Sequence, residues 1–241
     1  AINGHISISD DGKEKIIGIT RVHLEGDVAK LQHVDDSSGQ YSLLDINRSG
    51  VPLMEIVSEP DMRSPEEARL YLSEIHSILR YIEASTANME EGSFRCDANI
   101  SLRPFGSDQL GSKVEIKNVN SFRSVLRALK YEEKRQAVAL DRGEKITQET
   151  RGWSDDQDIT VPQRTKEYAS DYRYFPEPDL PPIKIPRGWV ADIESDVPEL
   201  PSAKTKRYMS DFGLSNYDAN LLVSDIEVAA FFDQIVSEFK N

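Results

Sequence analysis

Residues 16–27 alternate with a period of two. This places Ile16, Gly18, Thr20, Val22 and Leu24 on one side of a strand and Ile17, Ile19, Arg21, His23 and Glu25 on the other. The second face passes from apolar to ionisable near its end, so a half-buried strand ending in chemically capable side chains is the first constraint on the fold. After a Ser-Ser-Gly turn at Ser37 to Gly39, residues 41–46 and 51–57 predict two more short strands joined by Asn47-Arg48-Ser49-Gly50, with Glu55 inside the second. Phe94, Cys96, Ala98, Ile100 and Leu102 alternate against Arg95, Asp97, Asn99, Ser101 and Arg103, which predicts a strand with one buried and one polar face. Residues 113–117 predict another, and Asp155-Asp156-Gln157-Asp158 marks a hairpin.

Two long helices punctuate the strands. Ser64-Pro65-Glu66-Glu67 is a helix start, with Ser as cap, Pro at the first helical position and Glu three residues past the cap. Ala68, Tyr71, Leu72, Ile75, Ile78, Leu79 and Ile82 then form one apolar stripe, a scaffold face rather than a site. The second helix is predicted from Ser121 to about Arg142, with Phe122, Val125, Leu126, Leu129 and Leu140 inward and Gly143 as its stop. A Pro-rich extended stretch follows at residues 175–186. Strands and helices mix without a regular strand and crossover-helix alternation, so the expectation is α+β with mainly antiparallel sheet. Beyond Val197 only short helical segments are predicted, anchored by Tyr208, Met209, Phe212, Leu221, Leu222, Ile226, Phe231, Phe232 and Ile235. Residues 1–196 are therefore assigned to one domain and 197–241 to the start of an all-helical one.

Composition narrows the function classes. With 38% hydrophobic and 29% charged residues and no apolar run near 20 residues, this is the composition of a globular chain and not of a helical membrane protein. A net charge of −13 argues against broad electrostatic capture of nucleic acid, so any such contact must be local, and nothing points to DNA. A single cysteine, Cys96, excludes an intrachain disulfide and an all-cysteine zinc site within this chain; it reads as a small core residue in a reducing compartment, with cytoplasm expected. The opening Ala-Ile-Asn-Gly carries no initiator Met or targeting segment, and the chain reads as cut from a longer protein.

The residues with chemical potential are acidic positions in strands. Glu25 has Asp27 two positions on and His23 two positions before, all on one face, and Glu55 is embedded in Leu53-Met54-Glu55-Ile56-Val57. A carboxylate in an apolar strand needs a partner, either a cation or an arginine such as Arg48. Carboxylates with room for water suit magnesium. Arg48, Arg95 and Lys117 are candidates for holding phosphate, with ordinary ion pairs as the alternative for each. His5, His33 and His76 have no partner at a metal-binding spacing, and no Walker-type or dinucleotide-binding glycine loop is present. Arg123, Arg127, Lys130 and Lys134 form a basic stripe on the second helix that could touch RNA backbone or an acidic partner, although the interleaved Glu132 and Glu133 favour a plain solvated face.

The stretch Asp45-Ile-Asn-Arg-Ser-Gly-Val-Pro-Leu-Met-Glu-Ile-Val-Ser-Glu-Pro-Asp61 closely resembles the B subunit of aspartyl/glutamyl-tRNA amidotransferase. The resemblance continues, in order, through His23-Leu-Glu-Gly-Asp27, Met89-Glu-Glu-Gly-Ser-Phe-Arg-Cys-Asp-Ala-Asn-Ile-Ser101, Glu115-Ile-Lys-Asn-Val-Asn-Ser-Phe122, Gln148-Glu-Thr-Arg-Gly-Trp153 and Asp171-Tyr-Arg-Tyr-Phe-Pro-Glu-Pro-Asp179. It implies a catalytic cradle of the glutamine synthetase type, followed by a helical domain. It also implies ATP- and Mg-dependent activation of the carboxylate of Glu-tRNA(Gln) or Asp-tRNA(Asn), amidated by ammonia from a glutaminase A subunit, with a small C subunit and misacylated tRNA as further partners. Carried over by position, Glu25 and Glu55 are implied magnesium ligands, with His23 and Asp27 beside them. Arg95, with these two glutamates, is implied in catalysis, and Arg48 and Lys117 in cofactor binding. Arg151 and Arg173 occupy family motifs without an assigned role. Family members often have Glu-Glu-Asp where this chain has Glu25-Gly26-Asp27, so no role transfers to the middle position.

Overall fold

The computed structural model describes residues 1–10, 12–37, 39–165, 178–179 and 181–239. The chain divides into two compact units, Ala1–Glu67 and Ala68–Asn241. The expected boundary at Val197 falls inside the second of these, in the link between two helices.

The first unit is built from five strands. β1 (Ile2–Asp10), β2 (Lys13–Gly26) and β5 (Pro52–Ser58) form an antiparallel sheet in the order β1-β2-β5, while β3 (Lys30–Asp36) and β4 (Gly39–Asp45) pair separately as a two-stranded sheet. Ile6, Ile8 and Ile17 are the buried apolar residues of this unit. The two strands predicted around Asn47-Arg48-Ser49-Gly50 exist, but they enter different sheets, because β2 supplies the partner of β5. Of the expected turn at Ser37 to Gly39, Ser38 lies outside the described residues.

Helix α1 (Pro65–Tyr81) begins as predicted, with Glu67 N–H donating to Ser64 Oγ at 3.1 Å. Glu67 reaches back past the cap, accepting from Arg63 N–H and from Lys15 Nζ at 2.7 Å. The apolar stripe is buried at Tyr71, Leu72, Ile75 and Leu79.

In the second unit β6 (Ala98–Ile100), β7 (Val114–Lys117), β8 (Glu149–Ser154) and β9 (Ile159–Thr165) form one sheet in that order. β7 and β8 run parallel, the exception to an otherwise antiparallel pairing among the described residues, and α2 (Phe122–Asp141) is the crossover between them. Ser121 caps α2 by accepting from Ser124 N–H, and Gly143 follows its end at φ +76°, a conformation that glycine adopts without strain. Of the alternation expected at residues 94–102, alternating burial persists through Ile100 and is lost at Ser101 and Leu102, both half-buried, and only Ala98–Ile100 make ladder pairs. The inward face of α2 differs from expectation: Val125, Ala128 and Leu129 are buried, yet so are Glu132 and Gln136, whereas Leu140 is exposed. The hairpin at Asp155-Asp156-Gln157-Asp158 is present between β8 and β9.

Among the described residues four helices follow, α3 (Arg187–Asp196), α4 (Pro201–Phe212), α5 (Asn216–Val223) and α6 (Ile226–Glu238). Tyr208, Ala219 and Val223 pack with Tyr81 from the end of α1, surrounded by Phe212, Leu222, Ile226 and Phe232. Tyr81 Oη donates to Val223 O at 2.7 Å and Tyr208 Oη to Ala229 O at 2.9 Å, so both buried phenols have partners. Of the other predicted anchors, Met209, Leu221, Phe231 and Ile235 are exposed. Residues 166–177 and 180, which hold most of the Asp171 to Asp179 motif, Arg173 and much of the expected extended stretch, lie outside the described residues. No helix among the described residues is long and apolar enough to cross a membrane.

Candidate functional site

The ladder between β2 and β5 sets the site. Its register pairs His23 with Glu55 and Glu25 with Leu53, and the period of two turns His23, Glu25 and Glu55 to one face. One ligand-capable atom from each of these three residues lies within 4.8 Å of the others. His23 Nε2 stands 3.6 Å from Glu55 Oε2, beyond hydrogen-bond reach, and His23 Nδ1 is shielded from solvent without a hydrogen-bond partner. Arg21 Nη2 approaches Glu55 Oε1 at 4.0 Å.

Two carboxylates and an imidazole outside hydrogen bonds form a donor set that a divalent cation would satisfy. Magnesium takes oxygen ligands and keeps several waters, and the exposure of Glu25 and Glu55 leaves room for them. The residues therefore fit the expected metal. Glu55, with its side chain 45% exposed, is not the buried carboxylate that its apolar strand suggested. Its neighbouring cation is Arg21, not Arg48.

Asp27 is committed elsewhere. Its side chain is 9% exposed and accepts from Arg48 Nε at 2.9 Å and from Val28 N–H at 3.0 Å. Its backbone bonds to Val51 O and Gly50 N, so the Asp27 and Arg48 pair fastens the Asn47 to Gly50 turn against the end of β2. The remaining expected residues belong to the second unit. Arg95 lies exposed in the segment before β6, and Lys117 pairs with Asp97 at 2.5 Å and faces Glu115 at 3.8 Å. Arg151 is buried, held by Thr160 and by the carboxylates of Glu132 and Glu149. In the basic stripe, Arg127 is taken by Asp155 and Asp158 and lies over the Trp153 ring at 5.5 Å. A cavity of about 420 Å³ along α2, bordered by Tyr131, Arg135 and Arg142, contains none of the expected site residues.

Sequence reasoning missed the charge cluster around Glu132. This carboxylate is fully buried and accepts from Arg135 Nε and Nη2 at 2.8 Å, Gln136 Nε2 at 3.0 Å and Thr160 Oγ1, with Arg151 Nε at 3.1 Å. The signal was in the spacing, since Val125, Ala128, Leu129, Glu132 and Gln136 share one helical stripe. Burial works to raise the Glu132 pKa, but the hydrogen bonds from Arg135, Thr160 and Gln136 and the Arg135 charge hold it below the ordinary carboxylate range.

Residues 1–191 match the family model described as GatB/GatE catalytic domain. The chain is 59% identical over 241 residues to the B subunit of the aspartyl/glutamyl-tRNA(Asn/Gln) amidotransferase of Dehalococcoides mccartyi strain CBDB1, covering 99% of this chain and 49% of the relative. It is 51% identical over 241 residues to the protein of that name from Moorella thermoacetica, covering 100% and 51%, and 55% identical over 237 residues to that of Herpetosiphon aurantiacus, covering 98% and 48%. The chain thus spans about half the length of these curated relatives. With an ordered likeness from end to end and a domain match over most of its length, the chain belongs to the GatB/GatE catalytic domain family.

Proposed function

We propose that this chain is the carboxylate-activating part of the B subunit of a tRNA-dependent amidotransferase. In this reading the full protein uses ATP and Mg to activate the side-chain carboxylate of Glu-tRNA(Gln) or Asp-tRNA(Asn) in the cytoplasm. Ammonia from a glutaminase A subunit then forms the amide, and a small C subunit completes the assembly. Residues 1–196 would be part of a glutamine synthetase-type cradle and residues 197–241 the beginning of a helical domain. The names of the relatives support the reaction class. The observation that carries the chemistry is the convergence of His23, Glu25 and Glu55 on β2 and β5.

Glu25 and Glu55 each offer oxygen to the metal, and His23 brings an imidazole with both nitrogens outside hydrogen bonds. Magnesium bound there would neutralise phosphate charge and orient the group being transferred. Asp27 and Arg48 keep the turn beside the cluster in place. Arg48, Arg95 and Lys117 are proposed to meet phosphate or substrate charge; for Arg48 and Lys117 this means competing with Asp27 and Asp97.

The test is ATP-dependent conversion of Glu-tRNA(Gln) to Gln-tRNA(Gln) by the full-length protein assembled with its A and C partners. Glu25→Gln and Glu55→Gln should each lower kcat/KM by about a hundredfold or more, with glutaminase activity and assembly retained. Wild-type rates in both variants would exclude these carboxylates from activation. A second reading, a module that docks the A subunit and tRNA without binding nucleotide, draws on the exposed Leu31, Tyr41, Leu43 and Leu44 of β3 and β4. It requires partner and tRNA binding indifferent to Glu25 and Glu55.

A further inference from the structure

Glu59 and Asp61 end the long Asp45 to Asp61 stretch, and neither belongs to the candidate site. Their side chains converge instead on β2, where β2 and β5 change register. Ile19 pairs with Ser58 and the next pair is Arg21 with Val57, so β2 carries one residue more than β5 at this point, a bulge. Three hydrogen bonds fasten it. Glu59 N–H donates to Gly18 O at 2.8 Å, Gly18 N–H to Asp61 Oδ2 at 2.8 Å, and Thr20 Oγ1 to Glu59 Oε1 at 2.7 Å. Gly18 allows this approach: a Cβ there would stand 2.8 Å from Glu59 Cγ and 3.2 Å from Asp61 Oδ2.

An extra residue in a strand inverts the face taken by every side chain that follows, because the side-chain period is two. His23 and Glu25 follow the bulge directly. Their meeting with Glu55 therefore depends on one extra residue being held between Ile19 and Arg21. The three bonds from Glu59 and Asp61 fasten that residue in place, and Gly18 leaves room for them.

We propose that Glu59 and Asp61 are positioning residues for the His23, Glu25 and Glu55 cluster, acting through the bulge they clamp. The proposal rests on the metal-holding role argued above. Neither acid is a ligand, since each is engaged by β2 and the cluster of ligand atoms among the described residues comprises His23, Glu25 and Glu55. The clamp needs hydrogen-bond acceptors, not negative charge. Amide variants preserve an acceptor oxygen, and alanine variants do not.

The experiment measures Mn²⁺ affinity, from the electron paramagnetic resonance signal of the free ion, in the full-length protein that carries this chain. Asp61→Ala, Glu59→Ala and Gly18→Ala should weaken Mn²⁺ binding roughly ten- to a hundredfold, as loss of supporting contacts around a metal does, while Asp61→Asn and Glu59→Gln stay within about twofold of wild type. Gly18→Ala attacks the clamp without removing an acid, and circular dichroism on each variant separates a moved strand from an unfolded protein. Amide variants as weak as the alanine variants would mean that charge is what matters and would overturn the proposal. So would folded alanine variants that bind as wild type does. Wild-type protein that fails to bind Mn²⁺, or binding insensitive to Glu25→Gln, would instead remove the metal reading and the inference with it.

Discussion

Replacing Glu132 by alanine tests whether α2 is fastened to β8 and β9 by charge. The substitution deletes the acceptor on which Arg135, Gln136, Thr160 and Arg151 converge and leaves the Arg151 guanidinium buried. Breaking one side of a buried ion pair costs about 3–5 kcal/mol. Here the low end applies, because Arg151 keeps Glu149 Oε1 at 3.0 Å and Thr160 O at 2.8 Å, and Arg135, 26% exposed, can regain water. A loss of about 3 kcal/mol corresponds to roughly two orders of magnitude in the opening equilibrium of this region. Native-state hydrogen exchange of the α2, β8 and β9 amides in the full-length protein would read it directly. The double replacement Glu132→Leu with Arg151→Met should recover part of the loss, since removing both charges leaves none stranded. The pH dependence has a definite sign. The folded-state pKa of Glu132 is depressed, so its contribution is complete above the unfolded-state pKa and is lost as pH falls through the folded one. Protection in the wild type should therefore decline on acidification more steeply than in Glu132→Ala. Exchange accelerated less than about fivefold in the variant, equivalent to about 1 kcal/mol, would refute the argument that this carboxylate is a buried keystone.

Tyr81→Phe should cost about 1 kcal/mol by removing the buried bond to Val223 O, seen as faster exchange in α5; an unchanged rate would mean that water replaces the phenol. Cys96 should resist alkylation at pH 8, because burial, with the Asp97 charge adding to it, pushes its thiol up to about 12 and leaves a thiolate fraction of about one in ten thousand. Labelling as fast as in the urea-unfolded chain would contradict that environment.

Local signals in the sequence placed the main elements. The Ser64 and Ser121 caps act on side-chain chemistry within a few residues, so both helices begin where the sequence predicts. Tertiary context decided the rest. β3, Lys-Leu-Gln-His-Val-Asp-Asp, has too few apolar residues to announce a strand and owes its form to pairing with β4. Glu55 looked buried because its sequence neighbours are apolar, yet its strand face points out to the cluster. Glu132 looked exposed because it interleaves with the basic stripe of Arg123, Arg127, Lys130 and Lys134, although its own stripe runs into the core. The bulge at Ile19 to Arg21 is invisible in the alternation itself, since the side chains that hold it lie 39 and 43 positions beyond their partners in β2, at Glu59 and Asp61.

The bond from Tyr81 to Val223 spans 142 residues of sequence. At a synthesis rate of roughly 5–20 residues per second, the ribosome delivers the partner of Tyr81 roughly 7–30 seconds after Tyr81 itself. For that interval the Tyr81 hydroxyl is without the carbonyl that it meets in the folded chain. A translational pause before α5 would lengthen the interval.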